Sequence, residues 1–211
     1  MSLESRMKTI LLPLLLALGL GAAHAAPVPP DDAVKATTEK MQALISANHA
    51  LYKADGVKFN AVVEEVLVPR FDVPGIAKLV LGRNWKTASP DQRTRFTNAF
   101  KNSLIRNYAD ALLDNYDTVE AKFLPLRLAG TEKDVTVKAE LRRKVGKPIS
   151  VGFSMQLIDN EWKVYDVILE NLSLVTNFRS QFNEEIKKNG LDALITRIET
   201  GAVVQPAASG S

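Results

Sequence analysis

The stretch "SVGFSMQLIDNEWKVYDVIL", Ser150 to Leu169, decides the architecture. In its first half Val151, Phe153, Met155 and Leu157 alternate with Ser150, Gly152, Ser154 and Gln156, the period of a half-buried antiparallel strand. Asp159 and Asn160 supply a two-residue turn, and Trp162 to Leu169 returns as a second strand. A two-residue loop pairs Leu157 with Trp162, Met155 with Val164 and Phe153 with Asp166, which places Asp166 on the apolar face. A loop longer by one residue brings Tyr165, Val167 and Leu169 inward instead. The returning strand is apolar on both faces, so its periodicity does not choose.

Upstream, "DVTVKAELR" repeats the alternation, with Val135, Val137, Ala139 and Leu141 on one face. Before it, "TVEAKFLPL" reads as a strand that Pro125 confines to an edge or a bulge. The remaining elements have a helical period. Val34, Met41, Leu44, Ile45, Leu51 and Tyr52 mark a helix from Asp32 to about Ala54, and Phe59 to Leu67 a second one, stopped by Pro69. "FDVPGIAKLVLG" is a third, with Asp72 near its cap, Pro74 in the first turn and Gly82 as terminator. In "SPDQ", Ser89 and Gln92 form a capping box around Pro90. The helix they open carries Phe96, Phe100, Leu104, Tyr108 and Leu112 on one stripe, ending near Asn115. After the strands, Val175, Phe178, Phe182 and Ile186 mark another helix, and Leu191 to Thr200 a shorter one. Helices, then consecutive strands, then helices predict an α+β fold. It consists of a curved antiparallel sheet of about four strands, covered on one face by the N- and C-terminal helices and enclosing an apolar cavity.

The N-terminus is read as a secretory signal peptide cut after Ala25. Arg6 and Lys8 precede "ILLPLLLALGL", Ile10 to Leu20, and "AHA" supplies the cleavage site. The run falls short of the roughly 20 apolar residues that a membrane span needs. Residues 26–200 then form a single domain, and 201–211 a flexible tail.

Composition excludes much chemistry. With no cysteine, thiol nucleophiles, thiolate metal sites and disulfides are out. Of two histidines, His24 leaves with the signal peptide and His49 is alone. There is no phosphate-cradling glycine loop, no G-x-S-x-G elbow and no acidic metal cluster, so neither a catalytic site nor a metal site is expected. The net charge of +3 is thinly spread and the aromatic residues are not interleaved with the basic ones, which argues against nucleic acid. The densest cluster, "RRKVGK" from Arg142 to Lys147, reads first as solvated hairpin charge. Its sharper reading is a contact with anionic lipid headgroups or, as the expectation taken forward, with acidic partner proteins. An exported domain rich in apolar side chains and poor in reactive ones most simply binds an apolar ligand. The alternative is an enzyme of cone-shaped α+β type acting on a hydrophobic substrate, with Asp166 as base and Tyr108 or Tyr165 as donor.

"WKVYDVILENLSLVTNFRSQF", Trp162 to Phe182, resembles the signature of the MlaC family, periplasmic phospholipid-transport proteins also called toluene-tolerance auxiliary proteins. Trp162, Val164, Tyr165, Asp166, Val167, Glu170, Ser173, Leu174, Val175, Asn177, Arg179, Gln181 and Phe182 carry the resemblance. Upstream, Phe71, Asp72, Leu81, Gly82, Trp85, Gln92, Phe96, Phe100 and Tyr108 look like the family's helical segment. Two positions depart: Asn171 stands where the family has glycine, and Phe178 where it has tyrosine.

The resemblance implies a soluble periplasmic phospholipid carrier that maintains outer-membrane lipid asymmetry. It would exchange lipid between an outer-membrane lipoprotein–porin complex and an inner-membrane ABC transporter with an MCE-domain subunit. The lipid is then the ligand, and no cofactor is implied. The residues expected around the acyl chains are Phe100, Leu104, Tyr108 and Leu112 on the long helix, and Val137, Ala139, Val151, Phe153 and Met155 on the middle strands. Trp162, Val164 and Val167 on the last strand join them, with Val175 and Phe178 on the helix that follows.

Overall fold

A computed structural model describes residues 26–201; the signal-peptide reading and all but the first residue of the predicted tail lie outside the described residues. The chain runs α1 (Pro30–Ala54), α2 (Gly56–Val66), a 3-10 turn (Val68–Arg70), α3 (Val73–Leu81), α4 (Arg83–Thr87) and α5 (Pro90–Asn115). The sheet follows as β1 (Val119–Phe123), β2 (Asp134–Arg143), β3 (Ile149–Ile158), β4 (Glu161–Leu169) and β5 (Leu172–Ser173), and α6 (Leu174–Asn189) and α7 (Leu191–Glu199) close the chain. The five strands pair antiparallel in sequence order, so the expected α+β meander is borne out with one short strand more than expected.

The capping box is present: Ser89 Oγ accepts from the Gln92 amide at 3.1 Å and Gln92 Oε1 from the Ser89 amide at 2.9 Å. Asp72 caps α3 by accepting from the Gly75 amide at 3.0 Å. At the chain's start, Pro30 rather than Asp32 opens α1; Asp31 and Asp32 sit in its first turn, where the helix dipole favours them.

The β3–β4 turn is the two-residue loop expected, with Asp159 and Asn160 at φ 48° and 65°, which matches the twist of the flanking strands. Leu157 pairs with Trp162 and Met155 with Val164. There the predicted register ends. A β-bulge inserts Tyr165, so Ser154 faces Asp166 and Phe153 faces Val167, not Asp166. The bulge reconciles the two faces of an ambiguous strand: Trp162 and Val164 point inward before it, and Val167 and Leu169 take the inward side after it. Asp166 joins Ser154 on the opposite face, where the Tyr165 hydroxyl reaches across β3 to Asp134 on β2 at 3.1 Å. A Cβ at Gly152 would sit 3.2 Å from the Thr136 methyl, so glycine is what lets Ile168 and Thr136 close over β3 there.

A second turn of the same type, Glu170 at φ 48° and Asn171 at φ 66°, joins β4 to β5. Asn171 therefore holds the left-handed conformation that the family's glycine supplies freely and that asparagine tolerates.

Three apolar clusters result. Helices α3, α5, α6 and α7 bury Val80, Leu81, Phe96, Phe100, Phe178, Phe182, Leu194 and Ile195 together. Helices α1, α2 and α5 share Met41, Ile45, Phe59, Val63 and Leu113. The sheet buries Val135, Val137, Met155, Trp162 and Val164 against Val34, Phe71 and Leu126.

Candidate functional site

Between α3, α5, α6 and β4 lies an apolar cavity of about 80 Å³. Its wall is Phe71, Ile76 and Val80 from the α3 region, Phe100 and Leu104 from α5, Val164 to Val167 from β4, and Leu174, Val175 and Phe178 from α6. The stripe on α5 is turned to it by helical spacing: Phe100 and Leu104 are one turn apart. Phe178 stands edge-on to Phe100 with ring centroids 5.2 Å apart. Phenylalanine in place of the family's tyrosine leaves no hydroxyl to satisfy in this buried spot.

Six of the residues expected from sequence meet at this wall: Phe100, Leu104, Val164, Val167, Val175 and Phe178. The others are placed elsewhere. Val137, Ala139, Val151, Met155 and Trp162 are buried behind the sheet's inner face, and Phe153 packs half-buried beside them. Leu112 packs into the α1–α2 cluster. Tyr108, one turn beyond Leu104, is 40% exposed, and burial of the rest of the ring pushes its phenol above the usual range. Sequence reasoning missed Phe71, Ile76, Val80 and Leu174 as wall residues. The only signal for them was the one-turn spacing of Ile76 and Val80 on α3 and the flanking position of the other two.

Asp166 touches the cavity's edge with both oxygens engaged. Oδ1 accepts from the Val175 amide at 3.0 Å and Oδ2 from the Ser173 hydroxyl at 2.5 Å, while Ser173 Oγ itself accepts from the Thr176 amide at 3.0 Å. The bulge aims the carboxylate at the first turn of α6, where open amides and the helix dipole both favour an anion. Asp166 thus pins α6 to β4. Replacing it by asparagine keeps one acceptor but removes the charge and sets an amide against Ser173. Asp166→Asn is expected to cost about 1–3 kcal/mol in urea unfolding. Unchanged stability would remove the pin. Among the described residues no group of histidines and carboxylates could hold a metal ion, and no helix is long and apolar enough to cross a membrane.

Comparison with known proteins agrees with this geometry. The toluene tolerance protein ttg2D of Pseudomonas putida is 31% identical over 164 residues, covering 77% of this chain and 75% of that protein. The intermembrane phospholipid transport system binding protein MlaC of Haemophilus influenzae is 26% identical over 167 residues, 78% of each chain. A phospholipid-binding protein from Ralstonia solanacearum, solved in complex with a phospholipid, superposes with a TM-score of 0.75 at 28% identity, covering 82% of this chain and 97% of that one. The family model described as MlaC protein matches residues 35–200, nearly the whole of the described chain, and the protein therefore belongs to the MlaC family.

Proposed function

We propose that this protein is a periplasmic phospholipid carrier that holds acyl chains in the cavity between β4 and helices α3, α5 and α6, with the headgroup left in water. The observation that carries this reading is the apolar wall at that place in a chain whose structural relative was solved with phospholipid. Each methylene moved from water into such a wall gains about 0.8 kcal/mol, so a chain of ordinary length is held strongly without any polar contact. The cavity of about 80 Å³ is well below the roughly 300–1,000 Å³ of filled ligand pockets. Acyl chains therefore enter by parting the wall, at seams such as Ile76, Leu104 and Leu174 that are only partly buried.

Export through the signal peptide ending at Ala25 puts the protein in the periplasm. There it takes lipid from one complex and gives it to another: an outer-membrane lipoprotein–porin complex and an inner-membrane ABC transporter with an MCE-domain subunit. The outcome is maintenance of outer-membrane lipid asymmetry. Little supports the enzyme reading: both Asp166 oxygens are engaged by α6 and Ser173, the Tyr165 hydroxyl is bonded to Asp134, and the other candidate donor, Tyr108, stands outside the residues that line the cavity. Mass spectrometry of an organic extract of the natively purified protein tests the proposal. Phospholipid at a fixed molar ratio is expected; a lipid-free protein that also fails to take up added phospholipid would overturn it.

A further inference from the structure

The β2–β3 hairpin is built for something other than holding a ligand. Every residue from 142 to 148 is exposed, and Val145 at the tip is 86% exposed. Gly146, at φ 101°, turns the chain beside it. Arg143, Lys144 and Lys147 flank this valine in the chain, none in an ion pair with another of the described residues; Arg142, at the base, bonds Glu140 at 2.9 Å. Asp117 and Glu120 share a groove with Arg142, Arg143 and Lys144, two acidic groups against three basic ones, and Lys147 adds a further cation outside it, so this end keeps an excess of positive charge.

Register ties this tip to the cavity. Val151 pairs with Leu169 and Leu169 with Leu172, so the β4–β5 turn lies at the same end of the sheet as the hairpin. Leu172 there is 43% exposed. Two residues further on, Leu174 and Val175 enter the cavity wall. One end of the molecule thus carries an exposed apolar tip, an excess of exposed cations, an exposed leucine and the first turn of the helix that bounds the cavity.

An acidic protein surface would account for the cations alone. It leaves a fully projecting valine among them unexplained, since an apolar tip gains nothing from charged side chains. A bilayer interface accounts for both: anionic headgroups attract the lysines and arginine while the apolar tip sinks below them. We propose that the β2–β3 hairpin docks the protein on anionic phospholipid bilayers, setting the α6 end of the cavity against the membrane. The inference rests on the carrier reading for its purpose, but its test does not.

Because the chain has no cysteine, Val145→Cys gives a single site for an environment-sensitive dye. Lys133→Cys, exposed at the opposite end of β2, gives the matching control. With vesicles of phosphatidylcholine containing phosphatidylglycerol at low ionic strength, the dye at position 145 is expected to shift to the blue and the dye at 133 to stay unchanged. Vesicles of phosphatidylcholine alone should give no shift, and raised salt should reverse it. Each basic residue near an anionic leaflet is worth roughly fivefold in partitioning. Joint reversal of Arg143, Lys144 and Lys147 to glutamate should therefore lower co-sedimentation on the order of 100-fold with melting unchanged. No blue shift at 145, equal shifts at both sites, or full co-sedimentation of the reversed variant would overturn the docking. So would a loss of transfer to purified acidic protein partners with vesicle binding intact, which would make the hairpin a protein contact. Lipid content measured on the same samples separates the two readings: a lipid-loaded protein that ignores vesicles sinks the docking and leaves the carrier standing.

Discussion

Phe182→Ala is expected to lower the unfolding free energy by about 3–5 kcal/mol, the range for emptying a buried phenylalanine site. Phe182 is buried on α6 and meets three other rings: Phe96 edge-on at 5.9 Å, Phe100 edge-on at 5.8 Å and Phe178 tilted at 5.8 Å. Such pairs add about 0.5–1.5 kcal/mol each beyond their burial, though they share partners and do not sum. The site cannot collapse cheaply, because Leu194, Ile195 and Ile198 of α7 pack the same cluster. Phe182 does not line the cavity; it backs Phe100 and Phe178, which do. Its loss should therefore loosen the wall as well as the fold, and bound lipid should exchange faster at temperatures where the variant is still folded. Urea unfolding of Phe182→Ala beside Phe182→Leu measures the first effect, and a loss below about 1 kcal/mol would mean that the ring cluster repacks around the gap.

How much of this was legible depends on how local each cause is. Ser89 and Gln92 announce α5 because a capping box is closed within four residues. Asp159-Asn160 announces the hairpin because two positive-φ residues suffice to make it. The alternation in β2 and β3 names their inner faces because only one side is apolar. β4 gives no such choice, and the bulge at Tyr165 depends on α6: it places Asp166 where the Ser173 hydroxyl and Val175 amide need an acceptor. Helix α4 was missed because five residues are too few to show a period, and β5 because two are.

The site was half-legible for the same reason. Periodicity on α5 and α6 found Phe100, Leu104, Val175 and Phe178. It did not say that Val34 and Phe71, from distant helical segments, and Leu126, from the β1–β2 connection, pack against β2 and β3. That packing buries Val137, Met155 and Trp162 in the sheet cluster, whose Val164, Phe71 and Val167 border the cavity.

Leu104→Asp is expected to empty the protein of phospholipid without unfolding it. Leu104 lines the cavity with Val167 and Phe178, yet it is only partly buried, so a carboxylate there can keep water at the cavity's edge. The fold then loses a fraction of one side chain's burial, whereas the acyl chains lose their path along α5. Each methylene turned back into water costs about 0.8 kcal/mol, roughly fourfold in affinity. Turning back three or four of them lowers retention on the order of 100-fold. Leu104→Met, which keeps the volume and the apolar character, should retain the lipid. Met155→Asp makes the contrast: Met155 is 1% exposed in the sheet core, where an unpaired charge has no water within reach, and that variant is expected not to fold. The measurement is phospholipid per protein by mass spectrometry, on samples whose thermal melting remains cooperative. Should folded Leu104→Asp hold as much lipid as the native chain, the acyl chains lie away from α5. The half-buried Phe153 on β3, facing Val167 across the bulged pair, would then be the wall to test next.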